Sequence, residues 1–224
     1  MRVVVAGAHG KVALRLGRLL AGRGDDVAGI VRNPDHAPDL SRDGVAPVVL
    51  DLEQATVEAV SDLLVGADAT VFAAGAGPGS GAARKDTVDR AAAALLAEAA
   101  EYSGVRRVLQ VSSMGVEQIR DSEPPAGTDE VFVAYLKAKL AAEEDLRTRD
   151  LDWTILRPGG LTDDPGTGHV RLAPQVERGQ IPRDDVAAVL VALLDAPATA
   201  GLVLELTGGG TPIPAAVSGV SRLP

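Results

Sequence analysis

Tyr135 and Lys139 stand four residues apart in the run Tyr135-Leu136-Lys137-Ala138-Lys139, a spacing that puts both on one face of a helix. A phenol with a pKa of ~10 is a poor base at neutral pH, and an ammonium one helical turn away favours its ionised form. Such a pair can pass a proton to or from a substrate oxygen. The same two residues also suit a tyrosine packed at a helix edge beside a surface lysine, and spacing alone leaves both readings open.

A second chemical signal opens the chain. Gly7-Ala8-His9-Gly10-Lys11-Val12-Ala13 separates an apolar run from an Ala/Leu-rich one, in the pattern G-x-x-G-x-x-A. Glycines let the backbone turn tightly and approach a ligand, and a small residue at 13 lets a helix pack on a strand. The amides and positive dipole end of that helix attract a pyrophosphate. Gly7, His9, Gly10, Lys11 and Val12 are therefore candidate dinucleotide-binding residues. At the tip of the second apolar run the sequence is Val31-Arg32-Asn33-Pro34, with no acid to hold ribose hydroxyls. Arg32, beside Asn33, can fork onto a 2′-phosphate and stack on adenine, which favours NADP(H) over NAD(H). A solvated surface arginine is the alternative. Asp51 and Leu52 are expected beside the adenine, although an acid there also suits a helix start.

The elements that must position these residues alternate along the chain. Strands are predicted at Arg2–Ala6, Val27–Val31, Pro47–Leu50, Ala69–Ala74, Val105–Ser112 and Trp153–Leu156. Helices are predicted at Lys11–Ala21, 54–64, 86–102 and 131–149. This alternation specifies an α/β fold, a doubly wound parallel sheet of Rossmann type with helices on both faces. Beyond Arg157 the pattern loosens. Val170–Ala173 and Gln175–Glu177 are expected to pair as short strands, followed by a helix at Asp184–Leu194 and a strand at Gly201–Leu206. No linker divides the chain, so residues 1–224 are read as a single domain whose part from about 160 onward contributes the substrate pocket. The stretch 117–134 and the loop 162–183 are expected to border that pocket.

Taken together, Gly7–Ala13, Val31–Pro34, Phe72-Ala73-Ala74-Gly75, Val111-Ser112-Ser113-Met114-Gly115, Tyr135–Lys139 and Ile155-Leu156-Arg157-Pro158-Gly159-Gly160 resemble the atypical short-chain dehydrogenases/reductases. The likeness is to the NAD(P)-binding, NAD-dependent epimerase/dehydratase-like type, and extends to flavin/biliverdin reductases and NmrA-like redox sensors. The resemblance implies that Tyr135 transfers a proton as hydride moves and that Lys139 both activates it and holds the nicotinamide ribose. It implies that Ser113 orients a substrate carbonyl, with Ser112 turned towards cofactor or core; local backbone hydrogen bonding is the alternative for either serine. It places Ala73, Ala74 and Gly75 where the cofactor passes, unless their smallness serves helix packing, and Pro158, Gly159 and Leu161 along the nicotinamide.

The expected function is an NADP-dependent oxidoreductase or epimerase-like enzyme acting on a small-molecule carbonyl or alcohol, with flavin or quinone reduction as a variant. The rival is a non-catalytic NAD(P)H sensor, which would need Gly7, Gly10 and Arg32 but not Tyr135 and Lys139. Composition narrows the field further. The 224 residues carry a net charge of −9, which argues against nucleic acid as a partner. No run approaches a membrane span of ~20 apolar residues, and no signal segment precedes the first strand, so a cytoplasmic protein is expected. The absence of cysteine excludes thiolate chemistry, disulfides and cysteine metal sites. His9, His36 and His169 share no metal-ligand spacing with an acid, so no metal is expected. A Gly-x-Ser-x-Gly elbow is missing too, which argues against a serine hydrolase. A monomer or weak homodimer is the expected assembly.

Overall fold

The computed structural model describes residues 1–77, 79–120 and 129–221. Val3, Val4 and Val5 give the first strand, β1 (Arg2–Ala6), side chains for both faces of a buried sheet. Helix α1 (Lys11–Gly22) follows and buries Val12, Ala13, Leu16, Gly17 and Leu20, a stripe at helical spacing. Strand β2 (Asp26–Val31), helix α2 (Ala37–Arg42), strand β3 (Ala46–Val49) and helix α3 (Val57–Leu64) come next. The α3 start falls later than the expected residue 54 because Thr56 caps it, its Oγ1 accepting from the Ala59 amide at 3.3 Å.

Strand β4 (Ala69–Phe72) leads to a short helix α4 (Ala82–Arg84), a π-helical segment (Lys85–Ala91) and helix α5 (Ala92–Ser103). The regular helix expected over 86–102 is thus irregular in its first turns, where wide π turns re-aim side chains. Strand β5 (Arg107–Val111), helix α6 (Glu130–Arg147) and strand β6 (Asp152–Pro158) follow. After them come strands β7 (Gly160–Thr162), β8 (His169–Ala173) and β9 (Gln180–Pro182), then helix α7 (Arg183–Leu194), strands β10 (Leu202–Gly208) and β11 (Thr211–Pro212), and helix α8 (Ile213–Val220).

The main sheet runs β11-β8-β10-β6-β5-β4-β1-β2-β3, and β7 pairs with β9 beside it. Strands β10 to β3 are parallel throughout, whereas β8 is antiparallel to β10 and β11. The chain winds from β1 outward through β2 and β3, then crosses back to β4. The carboxyl ends of β1 and β4 therefore flank the point where winding reverses, the place where ligands bind in such sheets. Two apolar layers hold the sheet. One packs α1, α7 and α8 against one face through Leu16, Leu20, Val186 and Leu190, and the other packs α3, α5 and α6 against the opposite face through Val60, Leu96, Ala100 and Leu146.

One expected pairing is corrected. Gln175–Glu177 forms no strand, and β8 pairs instead with β10, in the register Ala173 to Glu205. Pro174, which lacks an amide hydrogen, ends the β8 ladder, and the Val176 amide is held by the Glu205 carboxylate at 2.9 Å. Val170 and Leu172 face the core while His169 and Arg171 are exposed, the alternation expected of a strand with one buried face.

Candidate active site

Two adjoining cavities open along the carboxyl ends of β1, β2, β4, β5 and β6 and share His9, Gly10 and Ala73–Ala76. The smaller, about 290 Å³, is bordered by Gly7, Arg32, Asn33, Asp51, Leu52 and Gly75. The larger, about 890 Å³, is bordered by Lys11, Val12, Ser112, Ser113, Tyr135, Lys139, Pro158, Gly159 and Leu161. Every candidate cofactor-binding or catalytic residue named from the sequence thus borders one cavity or the other.

The turn between β1 and α1 is glycine for two reasons. Gly7 has φ +74°, and a Cβ there would stand 2.4 Å from the Ala74 Cα. This close approach brings the β4 end against the turn. The start of α1 carries no side-chain cap and no acid in its first turn. Its amides and dipole end therefore face the shared part of the two cavities without an internal anion, which suits a bound phosphate. His9 stacks on His36 with ring centroids 3.6 Å apart, and its Nε2 is 2.9 Å from an Asp39 oxygen. The His9 hydrogen bond, then Arg42, hold the Asp39 carboxyl below the usual range.

At the far end of the smaller cavity the sequence reading missed an acid. Glu53, from the β3–α3 connection, receives Arg32 Nη1 at 2.8 Å, Arg84 Nη2 at 2.7 Å and the Thr87 hydroxyl at 2.6 Å. The Arg84 hydrogen bond, followed by that of Thr87, keeps the Glu53 carboxyl below the ordinary glutamate range. Asp51 turns its own loop, accepting from the Glu53 amide at 3.1 Å. Arg32 is half-exposed and borders the smaller cavity.

Helix α6 supplies the larger cavity. Tyr135 and Lys139 lie on one face, as their spacing requires, and Glu143 continues it one turn further on. Tyr135 stacks loosely on Phe132, ring centroids 6.0 Å apart, and the Lys139 Nζ is 5.9 Å from the Tyr135 ring centroid. The lysine is buried, paired with Asp89 of the π-helical segment at 3.2 Å, and donates to the Val111 carbonyl at 3.1 Å and the Ala74 carbonyl at 3.3 Å. It thereby ties α6 to the ends of β4 and β5. Asp89 also accepts from the Ala76 amide at 3.1 Å. Asp89 carries no spacing signal in the sequence; Glu143 does, as the third member of the i, i+4, i+8 series.

Ser112 turns to the core, its hydroxyl donating to Glu143 at 2.5 Å. Ser113 donates to the Met114 carbonyl at 3.1 Å. Buried Arg157 joins Glu143 to Glu117. Burial pulls its guanidinium down, but hydrogen bonds and charge from these carboxylates outweigh that and leave it raised. The bed under the cavity is therefore a fixed ionic network. Gly159 brings the β6 end against the 179 backbone, since a Cβ there would meet the Gly179 carbonyl oxygen at 2.3 Å. Of the loop segments expected to border the pocket, residues 121–128 lie outside the described residues. From the region beyond 160, Leu161 and Arg183 reach the larger cavity, while Asp163 stands outside its wall and pairs with Lys11 and Arg183. Among the described residues no cluster of three or more metal-ligating side chains is found, and no helix is long and apolar enough to cross a membrane.

A family model described as NAD(P)H-binding matches residues 7–197. The "Uncharacterized sugar epimerase YhfK" of Bacillus subtilis is 36% identical over 214 residues, covering 95% of this chain and 97% of its own. Among solved structures, a candidate NAD-dependent epimerase/dehydratase from Bacillus halodurans has a TM-score of 0.88 at 35% identity, covering 98% of this chain and all of its own. The anaerobilin reductase ChuY of Escherichia coli O157:H7 has a TM-score of 0.78 at 28% identity, covering 93% and 97%. With its Rossmann-type sheet, its uncapped first helix and a family match running from Gly7 to Pro197, this chain belongs to the NAD(P)H-binding family, among epimerase-like and reductase-like relatives.

Proposed function

We propose that the protein is an NADP(H)-dependent reductase of small, flat, unsaturated molecules. The observation that carries this reading is the arrangement around Tyr135: its ring borders the larger cavity beside exposed Phe132, Val131 and Leu161. The chain has only five aromatic residues, and two of them form one wall of this opening. An apolar, partly aromatic wall suits a planar substrate.

The residues fit the dinucleotide in parts. Gly7 and Gly10 give close backbone approach, the α1 amides take the pyrophosphate, and Arg32 with Asn33 and Arg84 borders the adenosine end, where a 2′-phosphate would displace part of the Glu53 pairing. NADP(H) is preferred on that ground. The bound dinucleotide supplies a hydride. Tyr135 donates the proton, so that a substrate double bond gains two hydrogens in all while the dinucleotide is oxidised. Lys139, tied to Asp89 and two strand-end carbonyls, positions α6 and presents a positive charge beneath the Tyr135 ring. Ser113 stands at the β5 end, able to turn from the Met114 carbonyl to a substrate oxygen. Action in solution as a monomer or weak dimer is part of the proposal.

The test is NADPH oxidation followed against quinones, flavins and conjugated carbonyl compounds, with Tyr135→Phe as the paired variant. Loss of a positioned proton donor lowers kcat by about 10²–10⁴, with NADPH affinity unchanged. A second reading, an NADP(H) sensor, is favoured by one observation: Ser112 and Ser113 are both hydrogen-bonded within the protein. Equal turnover by Tyr135→Phe and the parent on every acceptor would sink the reductase mechanism. NADPH binding without turnover on any acceptor selects the sensor.

A further inference from the structure

The larger cavity is bordered by two buried ammonium groups, Lys85 and Lys139, and among the described residues only one has a counter-charge. Lys139 is paired with Asp89. Lys85, one turn before Asp89 on the π-helical segment, is 8% exposed. Its Nζ donates to the Gly77 carbonyl at 2.9 Å and stands 5.5 Å from the Tyr135 ring centroid. Among the described residues no carboxylate pairs with it. The other cations on this wall, Lys11 and Arg183, are both engaged with Asp163 at the rim, and the His9 ring is hydrogen-bonded to Asp39. The acids on the wall are also engaged, Asp89 with Lys139 and Asp129 as the α6 cap that accepts from the Phe132 amide at 2.7 Å.

A buried charge is held by a partner or it is costly. An ammonium has three donors, and the Gly77 carbonyl takes one of Lys85's. The remaining two, beside an apolar wall, suit the anionic end of a ligand. A single ammonium without a guanidinium fork matches a singly charged carboxylate better than a phosphate, which arginine pairs bind bidentately. The cofactor's own phosphates have the α1 amides as their partner.

We infer that Lys85 is the anion-binding residue of the substrate subsite, and that the substrate is a planar unsaturated carboxylic acid bound with its carboxylate on Lys85 and its flat body against Phe132 and Tyr135. This rests on the reductase reading only in taking the larger cavity as the substrate end. Lys85 was not singled out by any motif; its isolation from the carboxylates of the described residues is what marks it.

The experiment measures calorimetric binding of benzoate, trans-cinnamate and 2-naphthoate, each against its neutral amide, with and without saturating NADP⁺. The parent protein is expected to bind at least one acid about tenfold more tightly than its amide, the effect of one charge-assisted contact. Lys85→Met is expected to erase that preference, Lys85→Arg to retain most of it, and both to keep the parent's NADP⁺ affinity. If no acid is preferred over its amide by the parent protein, the inference is wrong, whether or not the variants fold. It is equally wrong if Lys85→Met keeps the preference, or weakens NADP⁺ binding while leaving the acid-to-amide ratio unchanged, which would assign Lys85 to the cofactor. Acid preference in a protein that does not bind NADP⁺ overturns the reductase reading and leaves the Lys85 subsite standing.

Discussion

Lys139 and Asp89 form a buried ion pair, Nζ to Oδ1 at 3.2 Å, with side chains 4% and 0% exposed. The pair joins helix α6 to the π-helical segment at the floor of the larger cavity. It fixes the depth at which Tyr135, one turn earlier on α6, meets the opening. Asp89→Asn leaves the ammonium without its counter-charge while keeping the side chain's shape. The expected loss is about 3 kcal/mol, a fall in Tm of roughly 6 °C or more, read by thermal unfolding. Adding Lys139→Met to that variant should recover part of the loss, since the two residues share one interaction.

Gly7 and Ala74 define the closest backbone approach at the cofactor end. Gly7→Ala places a Cβ 2.4 Å from the Ala74 Cα at φ +74°. The left-handed conformation alone costs about 1–2 kcal/mol, and the β4 end must also move. The expected outcome is a folded protein with a lowered Tm and no detectable NADPH binding by calorimetry. Tight binding by this variant would mean that the turn does not approach the ligand.

Glu53 gives the smaller cavity a pH dependence. Arg84, Thr87 and Arg32 hold its carboxyl below the ordinary glutamate value of ~4.3 in the folded protein. A depressed folded value means its contribution to stability is fully present above the unfolded value and is lost as pH falls through the folded one. Urea unfolding of the parent at pH 7 and pH 3.5 should therefore show a larger acid loss than Glu53→Gln. Equal losses would show that the Glu53 cluster does not form in solution.

Phe132 is 48% exposed at the mouth of the larger cavity and stacked on Tyr135. Phe132→Ala removes a contact face worth about 0.5–1.5 kcal/mol to a flat ligand. A rise in KM of several-fold with kcat nearly unchanged is expected in steady-state assays. A fall in kcat at constant KM would instead give Phe132 a part in placing the proton donor.

Much of this architecture was legible in the sequence, and the reasons are local. The strand–turn–helix at Arg2–Gly22 shows itself through three consecutive valines, a glycine pair and a helical apolar stripe, each obeying a short-range rule. Tyr135 and Lys139 share a face because helix geometry alone decides it. Asp89, Glu53 and Lys85 were not legible, because their roles depend on partners 50, 31 and 8 residues away. A π-helical segment also shifts the facing of Lys85 and Asp89 from what α-helical periodicity gives. The C-terminal strands were read imperfectly for a related reason. Val170 and Leu172 announce a strand, but its partner Leu202–Gly208 lies some thirty residues on, while the nearby Gln175–Glu177 offered the wrong one.

The dinucleotide site is tested most directly by thermal unfolding of the purified protein alone, with NADPH and with NADH at equal excess, alongside Arg32→Ala. A ligand at 100 times its dissociation constant stabilises by ~2.7 kcal/mol, which for a chain of this size raises Tm by roughly 5–10 °C. NADPH is expected to raise the midpoint clearly more than NADH, and Arg32→Ala to narrow the difference. A shift with NADH at least as large as with NADPH contradicts the role given to Arg32, and no shift with either contradicts the dinucleotide site at Gly7 and Gly10.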